Sequence, residues 1–435
     1  MILVTSSFRR CYLAYTWRII RLSKIYPVLQ YMLLIGVICI GLFGLTRLQL
    51  YPGGTWVDKF RNANQSAFAL ARYLKNICPK ATKAKLALAR NAHYCVRHKV
   101  MYCPVEKSGS TFWRRVFYLL YGWNKSYEHP FQVPVQEALN QHFESFIELR
   151  LWKRGNISPE SFFTFMFVRN PYTRILSAYV DKVYPHNPVY WKKFGVPAIR
   201  TYRQNPSTLN ILCGHDATFE EFVKFVIQRV LSNKYMYEDV HFASISDMCN
   251  PCKVSYDYVG KMESFQTDSK FLLKQLGLES SLDALGESFS NMSVYDAIVD
   301  SVYGPYSWRQ DLTKYPCITW NQSLRRLWRK LQLRGIISFA QSYPFDGVDP
   351  MLISREEYIQ FAWNAHLLSS KEELDAQKEN ILKEAYGSVK EDDLARFKSA
   401  FKSDFYLFGY DDTPAFIVNR VDHGSSYKYL SFMNI

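Results

Sequence analysis

Residues 100–123 read VMYCPVEKSGSTFWRRVFYLLYGW, and this stretch decides the fold class. The apolar run Val100–Val105 predicts a buried strand, and the polar residues Glu106–Thr111 predict a loop. From Phe112 onward, apolar residues recur at helical spacing, so strand, loop and helix follow one another. The backbone N–H groups of such a loop, backed by a helix N-terminus, bind anions such as phosphate. An ordinary polar turn would have the same composition, and the Walker A pattern of nucleotide kinases is absent.

A second strand–helix unit lies at residues 161–180, which read SFFTFMFVRNPYTRILSAYV. The apolar run before Arg169 suits a parallel strand that is buried on both faces. Asn170 is a favoured N-cap and Pro171 a favoured first helical residue. Arg169 follows the carboxyl end of the strand, where open α/β sheets bind ligands. We therefore predict that Arg169 and Ser177 bind one phosphate; the alternative is an arginine paired with a carboxylate and a serine facing solvent.

The N-terminal residues predict a membrane anchor. Residues 26–46 carry no charge and are 21 in number, close to the ~20 that span a bilayer as a helix. Residues 1–25 contain arginines and a lysine but no acid, which places them in the cytosol and the rest of the chain in a lumen. A cleaved signal peptide is the alternative, but its apolar region is usually shorter, about 7–15 residues.

The composition is that of a globular protein with a basic surface. The chain has 435 residues, 48% hydrophobic and 21% charged, which is not a disordered composition. A net charge of +15 favours anionic partners such as nucleic acid, anionic lipid or acidic substrates, although a solvated basic surface would give the same balance. Asn-x-Ser sequons on the predicted lumenal side begin at Asn64, Asn124, Asn156, Asn291 and Asn321.

Seven cysteines follow the predicted anchor, in a compartment that favours disulfides. The odd number leaves at least one thiol free or paired between chains. We expect Cys103, in a buried strand, to be the free thiol. The pair Cys249-x-x-Cys252 would need two further ligands to hold zinc, and no second CxxC exists. A redox pair would precede a helix, whereas a strand is predicted here, so structural disulfides, with Cys213 as one partner, are expected.

These segments resemble the PAPS-dependent carbohydrate sulfotransferases, in particular the HNK-1, chondroitin and dermatan branch. Residues 106–113, EKSGSTFW, are similar to the family's 5′-phosphosulfate loop PKxxxT followed by a bulky residue and Trp. Residues 167–183 are similar to its 3′-phosphate motif FVRxPxxRLxSAYxxKF. Residues 249–263 look like CxPCxxxYDxVGKxE, and residues 404–410 like DFxLFGY. The four matches occur in the family's order.

The chain departs from the family pattern at three places. Glu106 stands where the family usually has Pro, which makes the loop less rigid and less positive. A His-Trp pair expected before CxPC reads His241-Phe242. Residues 285–390 contain no motif that we recognise and look like an insertion. These departures affect the identity of the acceptor more than the type of reaction.

The resemblance implies roles for individual residues. Lys107 would bind the leaving oxygen as a catalytic residue, and Arg169 and Ser177 would bind the 3′-phosphate. His129 is the first candidate for the general base, before His142 and His241, with Glu263 a weaker one. Arg174 would pair structurally, and no metal would be required. The residues implied to bind the donor in the first loop are Lys107, Ser108, Gly109, Ser110, Thr111 and Phe112.

The resemblance also implies an α/β fold, a P-loop-kinase-like parallel sheet flanked by helices, with an N-terminal transmembrane helix. Helices are predicted around Leu324–Leu333 and Lys371–Lys383. We divide the chain into a cytosolic tail (1–25), a transmembrane signal anchor (26–46), a stem (47–95), a lumenal sulfotransferase domain (96–411, with 285–390 as an insertion) and a C-terminal tail (412–435).

The implied function is transfer of sulfonate from PAPS to a glycan hydroxyl. The protein would be a single-pass type II protein of the Golgi membrane with its catalytic domain in the lumen. The acceptor would be a glycosaminoglycan or a glycoprotein glycan, with GalNAc 4-O sulfation among the candidates. A homodimer is compatible with the sequence, and no nucleic acid partner is expected. The alternatives are a P-loop nucleotide kinase and a catalytically inactive lumenal glycan-binding or scaffold protein, for which Glu106 is the argument.

Overall fold

A four-stranded sheet carries both of the predicted phosphate-binding segments. The computed structural model of the protein describes residues 68–89, 91–144, 158–232, 239–310, 317–420 and 428–432. The strands are β1 (His93–Cys95), β2 (Val100–Cys103), β3 (Phe163–Val168) and β4 (Tyr258–Lys261), in the order β1-β2-β3-β4. The strands β2, β3 and β4 are parallel, as predicted, whereas β1 is an antiparallel edge strand that the sequence did not indicate.

Helices pack on both faces of this sheet, which confirms the α/β class. The longer ones are α1 (Ser110–Tyr121), α2 (Pro171–Lys182), α3 (Phe219–Leu231), α4 (Phe265–Gln275), α5 (Phe289–Ser307), α6 (Trp320–Leu333), α7 (Arg355–Leu367), α8 (Lys371–Gly387) and α9 (Glu391–Ala400). Shorter helices and turns include Lys83–Leu88, Pro130–Gln132, Val135–Asn140, Val196–Tyr202, Thr208–Cys213, Ile245–Cys249, Glu279–Leu285, Lys402–Phe408 and Ala415–Val418.

The strand register brings the two predicted sites to one edge of the sheet. Cys103, the last residue of β2, pairs with Met166 of β3, and Val168 at the end of β3 pairs with Lys261. The chain therefore leaves β2 and β3 at neighbouring positions. Because ligands bind beyond the carboxyl ends of parallel strands, this edge is where a donor site is expected.

Successive side chains of a strand point to opposite faces of the sheet, and here both faces are covered by apolar groups. On one face, the Trp113 ring of α1 lies 4.7 Å from that of Phe165 and 5.5 Å from that of Phe167. On the other face, Met166 and Val168 pack in a separate apolar cluster. Full burial of a phenylalanine side chain stabilises a fold by about 1.5–3 kcal/mol. Because both faces of β3 are buried, its sequence is a nearly continuous apolar run.

Local signals set the start of α2 as predicted. The Oδ1 atom of Asn170 accepts a hydrogen bond from the Tyr172 N–H at 2.9 Å, and Pro171 is the first helical residue. This cap satisfies one of the N–H groups that an α-helix leaves free at its start. It also fixes Arg169, the residue before it, at the strand–helix junction.

The described residues of the segment 285–390 are mainly helical and pack against the rest of the fold. Helices α5, α6 and α7 share one apolar cluster, while residues of α8 join the cluster of α2 and α3. The Tyr386 hydroxyl donates to the Tyr172 carbonyl at 2.8 Å. The predicted helices at Leu324–Leu333 and Lys371–Lys383 lie within α6 and α8. The segment thus buries one side of α2.

The disulfides correct two expectations. The pairs are Cys78–Cys252, Cys103–Cys249 and Cys213–Cys317. The prediction that Cys103 is the free thiol was wrong, because the end of β2 packs directly against the helix that carries Cys249. Cys213 does not pair with the CxxC residues either. Among the described residues the free thiol is Cys95, which is buried in β1.

The paired sulfurs also bear on the alternatives for the CxxC segment. Cys249 and Cys252 each pair with a distant cysteine and not with one another. Their sulfurs are therefore not thiolates, which zinc binding and thiol–disulfide exchange both require. The interpretation of this segment as structural is confirmed.

The predicted tail (1–25) and anchor (26–46) lie outside the described residues. Within the part of the chain that is described, no helix combines the length and apolar character needed to cross a bilayer. Of the predicted stem, residues 68–77 form a helix whose Ala71 and Leu74 pack in the same cluster as β2 and β3. The described residues all belong to one unit, Arg61–Ile435.

Candidate functional site

The loop after β2 has the backbone conformation of an anion-binding turn. Lys107 has a φ of 68° and Gly109 a φ of 79°, both in the left-handed region that favours glycine. Gly109 is the N-cap of α1. A Cβ at Gly109 would lie 2.2 Å from the ring of Phe265. The loop therefore needs glycine here for two reasons, and it presents the first N–H groups of α1, which have no partner within the helix.

The hydroxyl groups of the loop differ in burial and in hydrogen bonding. Ser108 is fully buried, and its Oγ has no hydrogen-bond partner among the described residues. Ser110 donates to the carboxylate of Glu106. Thr111 is half-buried at the start of α1. The buried Ser108 hydroxyl is thus free to bind a group that is not part of the protein.

Glu106 is ionised although it is buried in the loop. Burial opposes ionisation, but the nearby charge of His241, the hydrogen bond from Ser110 and the charge of Arg114 together lower the pKa of Glu106. Arg114 lies 3.7 Å from the carboxylate. The Glu106 carboxylate, which stands where the family usually has proline, therefore interacts with Ser110 and Arg114 of the protein itself.

Lys107 forms an ion pair that joins the loop to α2. Its Nζ lies 2.7 Å from Oδ2 of Asp181, and Lys330 of α6 lies 2.7 Å from the other carboxylate oxygen. Lys182 is 3.4 Å away. Three ammonium groups thus share one carboxylate, which leaves a net positive charge for an anionic ligand.

The titration of these groups reflects their burial. Burial, followed by the charges of Lys182 and Arg334, lowers the pKa of Lys107 from 10.5 to about 8, although Asp181 opposes the shift. The lysine charges hold the pKa of Asp181 well below its usual range, against the effect of burial. Lys107 is therefore mostly protonated at neutral pH.

Arg169 lies against the same loop. Its Nη1 donates to the Lys107 carbonyl at 3.0 Å, and its Nε donates to the Thr173 hydroxyl at 3.1 Å. Burial lowers the pKa of Arg169 to about 10, with the charge of Glu263 opposing. Thr173 and Ser177 are half-buried and, being four residues apart in α2, share one helix face. The geometry thus brings Arg169 to the donor loop, with Ser177 one turn beyond Thr173.

Arg174 has a structural position. Its guanidinium is buried and donates to the carbonyls of Glu106, Val240 and Ala243 at 3.0, 2.9 and 2.6 Å. It pairs with backbone oxygens and not with a carboxylate. These bonds tie the donor loop to the segment that carries His241.

The candidate histidines lie in different surroundings. The Nδ1 atom of His241 is 2.6 Å from Oδ1 of Asp239 and 3.0 Å from the Tyr190 hydroxyl. Arg174 donates to the carbonyls of Val240 and Ala243 as well as to that of Glu106, so the segment of His241 lies beside the donor loop. His129 instead precedes the turn Pro130–Gln132 and lines a cavity beside α5.

The other two candidates are His142 and Glu263. His142 is exposed after the helix Val135–Asn140. Glu263 accepts a hydrogen bond from the Tyr410 hydroxyl at 3.1 Å, and its charge acts on Arg169. Among the described residues, no group of three or more His, Cys, Asp or Glu side chains is placed to hold a metal ion.

The sequence did not reveal the part that four charged residues play in this site. Asp181 and Lys182 lie at the end of the recognised motif in α2, but their link to Lys107 depends on the fold. Lys330 and Arg334 come from the segment 320–334, about 150 residues later in the chain. The basic face of α6, which reads RRLWRKLQLR, was the available signal, but a solvated helix would show the same pattern.

Comparisons with known proteins agree with this geometry. The sequence model of the Sulfotransferase family matches residues 90–330. Carbohydrate sulfotransferase 11 of Rattus norvegicus is 32% identical over 194 residues, 42% of this chain and 52% of that protein. Carbohydrate sulfotransferase 9 of Homo sapiens is 29% identical over 187 residues, 43% and 41% of the two chains. No solved structure matches this chain.

The family model matches more than half of this chain, whereas each alignment with a relative covers only part of that relative. The chain spans about half the length of the curated relatives it matches. Carbohydrate sulfotransferase 12 of Mus musculus, for example, is 28% identical over 236 residues, 50% of this chain and 56% of that protein. The matched region 90–330 exceeds half of the 435 residues and contains the donor loop, Arg169 and Lys330. The resemblance inferred from the sequence is therefore confirmed, and the chain belongs to the sulfotransferase family.

Proposed function

We propose that this protein transfers a sulfonate group from PAPS to a hydroxyl group of a glycan. The observation that carries the proposal is the contact between two strand ends: Arg169 donates to the Lys107 carbonyl. A 3′-phosphate and a 5′-phosphosulfate are two anionic groups of one molecule. The two neighbouring cationic segments at this edge of the sheet suit such a donor.

The reaction is an in-line displacement at sulfur. The acceptor oxygen forms a new S–O bond while the S–O bond to the 5′-phosphate breaks, and the leaving group is adenosine 3′,5′-bisphosphate (PAP). Negative charge grows on the phosphate oxygen that leaves. The Lys107 ammonium would stabilise that charge, and the N–H groups of α1 would hold the phosphosulfate. Binding of the donor would replace the Asp181 contact of Lys107, while Lys330 remains to neutralise Asp181.

The 3′-phosphate would bind to Arg169 and Ser177. Arg169 presents a planar guanidinium suited to a phosphate, and Ser177 adds a hydroxyl from α2. This group distinguishes PAPS from ATP. The absence of a Walker A sequence argues against the alternative of a nucleotide kinase.

A base must accept the proton of the acceptor hydroxyl, and we assign this role to His129. Burial lowers the pKa of His129 from 6.5, so its imidazole is neutral at pH 7. Its Nδ1 has no hydrogen-bond partner among the described residues. His241 is the alternative base, because Asp239 orients its ring much as a carboxylate orients a catalytic histidine.

We further propose that the protein acts in the Golgi lumen as a single-pass type II membrane protein. The disulfides between described cysteines support an oxidising compartment. The sequons and the predicted anchor at residues 26–46 support the same topology. Glycosidase sensitivity of Asn124 and Asn321, with protease protection in sealed vesicles, would test it. Formation of a homodimer stays a prediction.

The activity is tested with the full chain in detergent, PAPS labelled in its sulfate, and glycans that include desulfated chondroitin, desulfated dermatan and GalNAc-terminated oligosaccharides. Lys107→Ala and Arg169→Ala are expected to abolish transfer, whereas the exposed controls Lys402→Ala and Arg200→Ala should transfer like the wild type. An inactive glycan-binding protein would instead bind glycan equally well with Lys107→Ala. Failure of the folded wild type to bind PAP would overturn the proposal.

A further inference from the structure

A cavity of about 690 Å³ lies between α1, α5 and the turn that follows His129. One wall is formed by residues 131–136, and the other by α5 together with Trp363 of α7. The donor-binding residues assigned above do not line it. Its size suits a small organic ligand, since ligand cavities usually measure about 300–1,000 Å³.

The lining of this cavity is rich in aromatic side chains. Tyr295 and Tyr303 are 46% and 40% exposed on α5. The Tyr295 ring lies 5.5 Å from that of Trp363, edge to face. Phe131 closes the side nearest the donor loop. Flat apolar surfaces of this kind pack against the C–H face of a pyranose ring.

Two buried polar atoms of the cavity lining have no hydrogen-bond partner among the described residues. Arg115 and His129 are 2% and 8% exposed and line the cavity. Nε of Arg115 and Nδ1 of His129 make no hydrogen bond to any described residue. Buried polar atoms are normally hydrogen-bonded, so these two are available to the hydroxyl or acetamido groups of a ligand.

The charges of the cavity argue against an anionic ligand. Arg115 is the one cation among the lining residues that the structure describes, and it binds both carboxylate oxygens of Asp296 at 2.7 Å. Asp300 adds a carboxylate to the lining. Burial keeps His129 neutral at pH 7. A carboxylate or sulfate group bound here would face like charge without a free cation.

The cavity is also adjacent to the donor loop. The ring of Phe131, in its lining, lies 5.4 Å from the ring of Phe112, at the start of α1. Asp300 interacts electrostatically with Lys182 and Lys330, the two lysines that share Asp181 with Lys107. A ligand in the cavity would therefore lie beside the group to be transferred.

We propose that this cavity binds an uncharged sugar residue of the acceptor, a hexose or an N-acetylhexosamine, with its ring on Tyr295 and Tyr303. The inference rests on the proposed function, because that function supplies the need for a glycan beside the donor. It goes further by placing recognition of the acceptor on residues 289–307 and 363.

The test compares two forms of one glycan that differ only in charge: desulfated chondroitin and the same material after reduction of its carboxyl groups. Binding of each is measured by saturation-transfer NMR on the full chain in detergent with PAP present, and PAP affinity is measured separately. Wild type is expected to bind the reduced, uncharged form more tightly. Tyr295→Ala with Tyr303→Ala should weaken that binding about 10-fold and leave PAP affinity unchanged.

Two controls accompany this test. Tyr406→Ala removes a tyrosine that is 62% exposed and lies outside the cavity lining, and it should bind glycan like the wild type. Asn291, a sequon residue, lines the cavity, so Asn291→Gln protein is measured as well to exclude occupancy by an attached glycan.

The outcomes separate the two proposals. If the double tyrosine variant binds the uncharged glycan like the wild type while PAP affinity is retained, the cavity assignment is wrong and the sulfotransferase function stands. Tighter binding of the charged form would also overturn it. If folded wild type fails to bind PAP, the proposed function is wrong, and glycan binding without PAP still tests the cavity through the same variants.

Discussion

Nζ of Lys107 lies 2.7 Å from Oδ2 of Asp181, so the lysine proposed to stabilise the leaving group forms an ion pair with a carboxylate of α2. The same carboxylate binds Lys330, which is 5% exposed as a side chain. One buried carboxylate holds several lysines in position but neutralises only one of their positive charges.

Replacement of Asp181 by asparagine is expected to destabilise the unliganded protein by about 3–5 kcal/mol, because buried lysines lose their counter-charge. PAP should restore part of this loss, since its phosphates supply negative charge to the same lysines. Thermal denaturation should therefore show a larger rise in Tm on addition of PAP for Asp181→Asn than for wild type. An equal rise in both proteins would show that Asp181 does not neutralise donor-binding lysines.

The affinity for PAP should fall at alkaline pH. The pKa of Lys107 is about 8 in the unliganded protein, and only its protonated form attracts a phosphate. As the pH rises through this value, the charge is lost and the Kd for PAP should increase, by up to about 10-fold for each pH unit above it. Lys107→Arg keeps its charge in this range, so its Kd should change much less between pH 7 and pH 9. Isothermal titration calorimetry measures both, and parallel curves for the two proteins would contradict the assignment.

Gly109→Ala should impair both folding and donor binding, because the φ of 79° is strained for alanine and the new Cβ would meet Phe265 at 2.2 Å. Gly122 is a matched control: its φ of 66° is also left-handed, but a Cβ there meets nothing within 4 Å. Gly122→Ala should cost roughly 1 kcal/mol of stability, and Gly109→Ala clearly more. Urea denaturation and PAP affinity report the two effects. Equal losses of stability would mean that the contact with Phe265 relaxes at little cost.

The cysteine pairing predicts effects of different size for two cysteines on the adjacent strands β1 and β2. Cys103→Ser breaks the bond to Cys249 and should lower the free energy of unfolding by about 2–5 kcal/mol. Cys95→Ser changes a buried free thiol and should have a smaller effect. Mass spectrometry of a non-reduced digest should find Cys103 linked to Cys249 and Cys78 linked to Cys252. A Cys249–Cys252 link would disprove this arrangement.

His129→Ala should lower kcat by about 10²–10⁴-fold if His129 is the general base. Wild-type kcat/KM should rise as the pH increases through the pKa of His129, which lies below 6.5, and reach a plateau near neutrality. That acid limb should disappear in His129→Ala and persist in His241→Ala. The reverse result would transfer the role to His241.

Local features of the sequence predicted much of the donor site. Strand β3, the Asn170 cap and the glycine at the start of α1 depend on interactions within a few residues, so their spacing was informative. The same holds for the two parallel strands whose continuous apolar runs are buried on both faces. These elements alone bring Arg169 to the Lys107 loop.

Long-range contacts could not be read from the sequence. The partner of Cys103 lies 146 residues away, and the link from Lys107 through Asp181 to Lys330 joins three separate segments. The edge strand β1 has only three residues, too few for a clear periodic pattern. The acceptor cavity likewise depends on how α5 packs against the turn after His129.

The hydrogen bond from Tyr386 to the Tyr172 carbonyl spans 214 residues, and this separation bears on how the protein folds during synthesis. At about 5–20 residues per second, roughly 10–40 s pass between the emergence of these two residues from the ribosome. Through that interval the apolar face of α2 has no helix α8 to cover it. The nascent chain therefore exposes this apolar face of α2 until almost all of it has been translated, and exposed apolar surface of this kind is what chaperones bind.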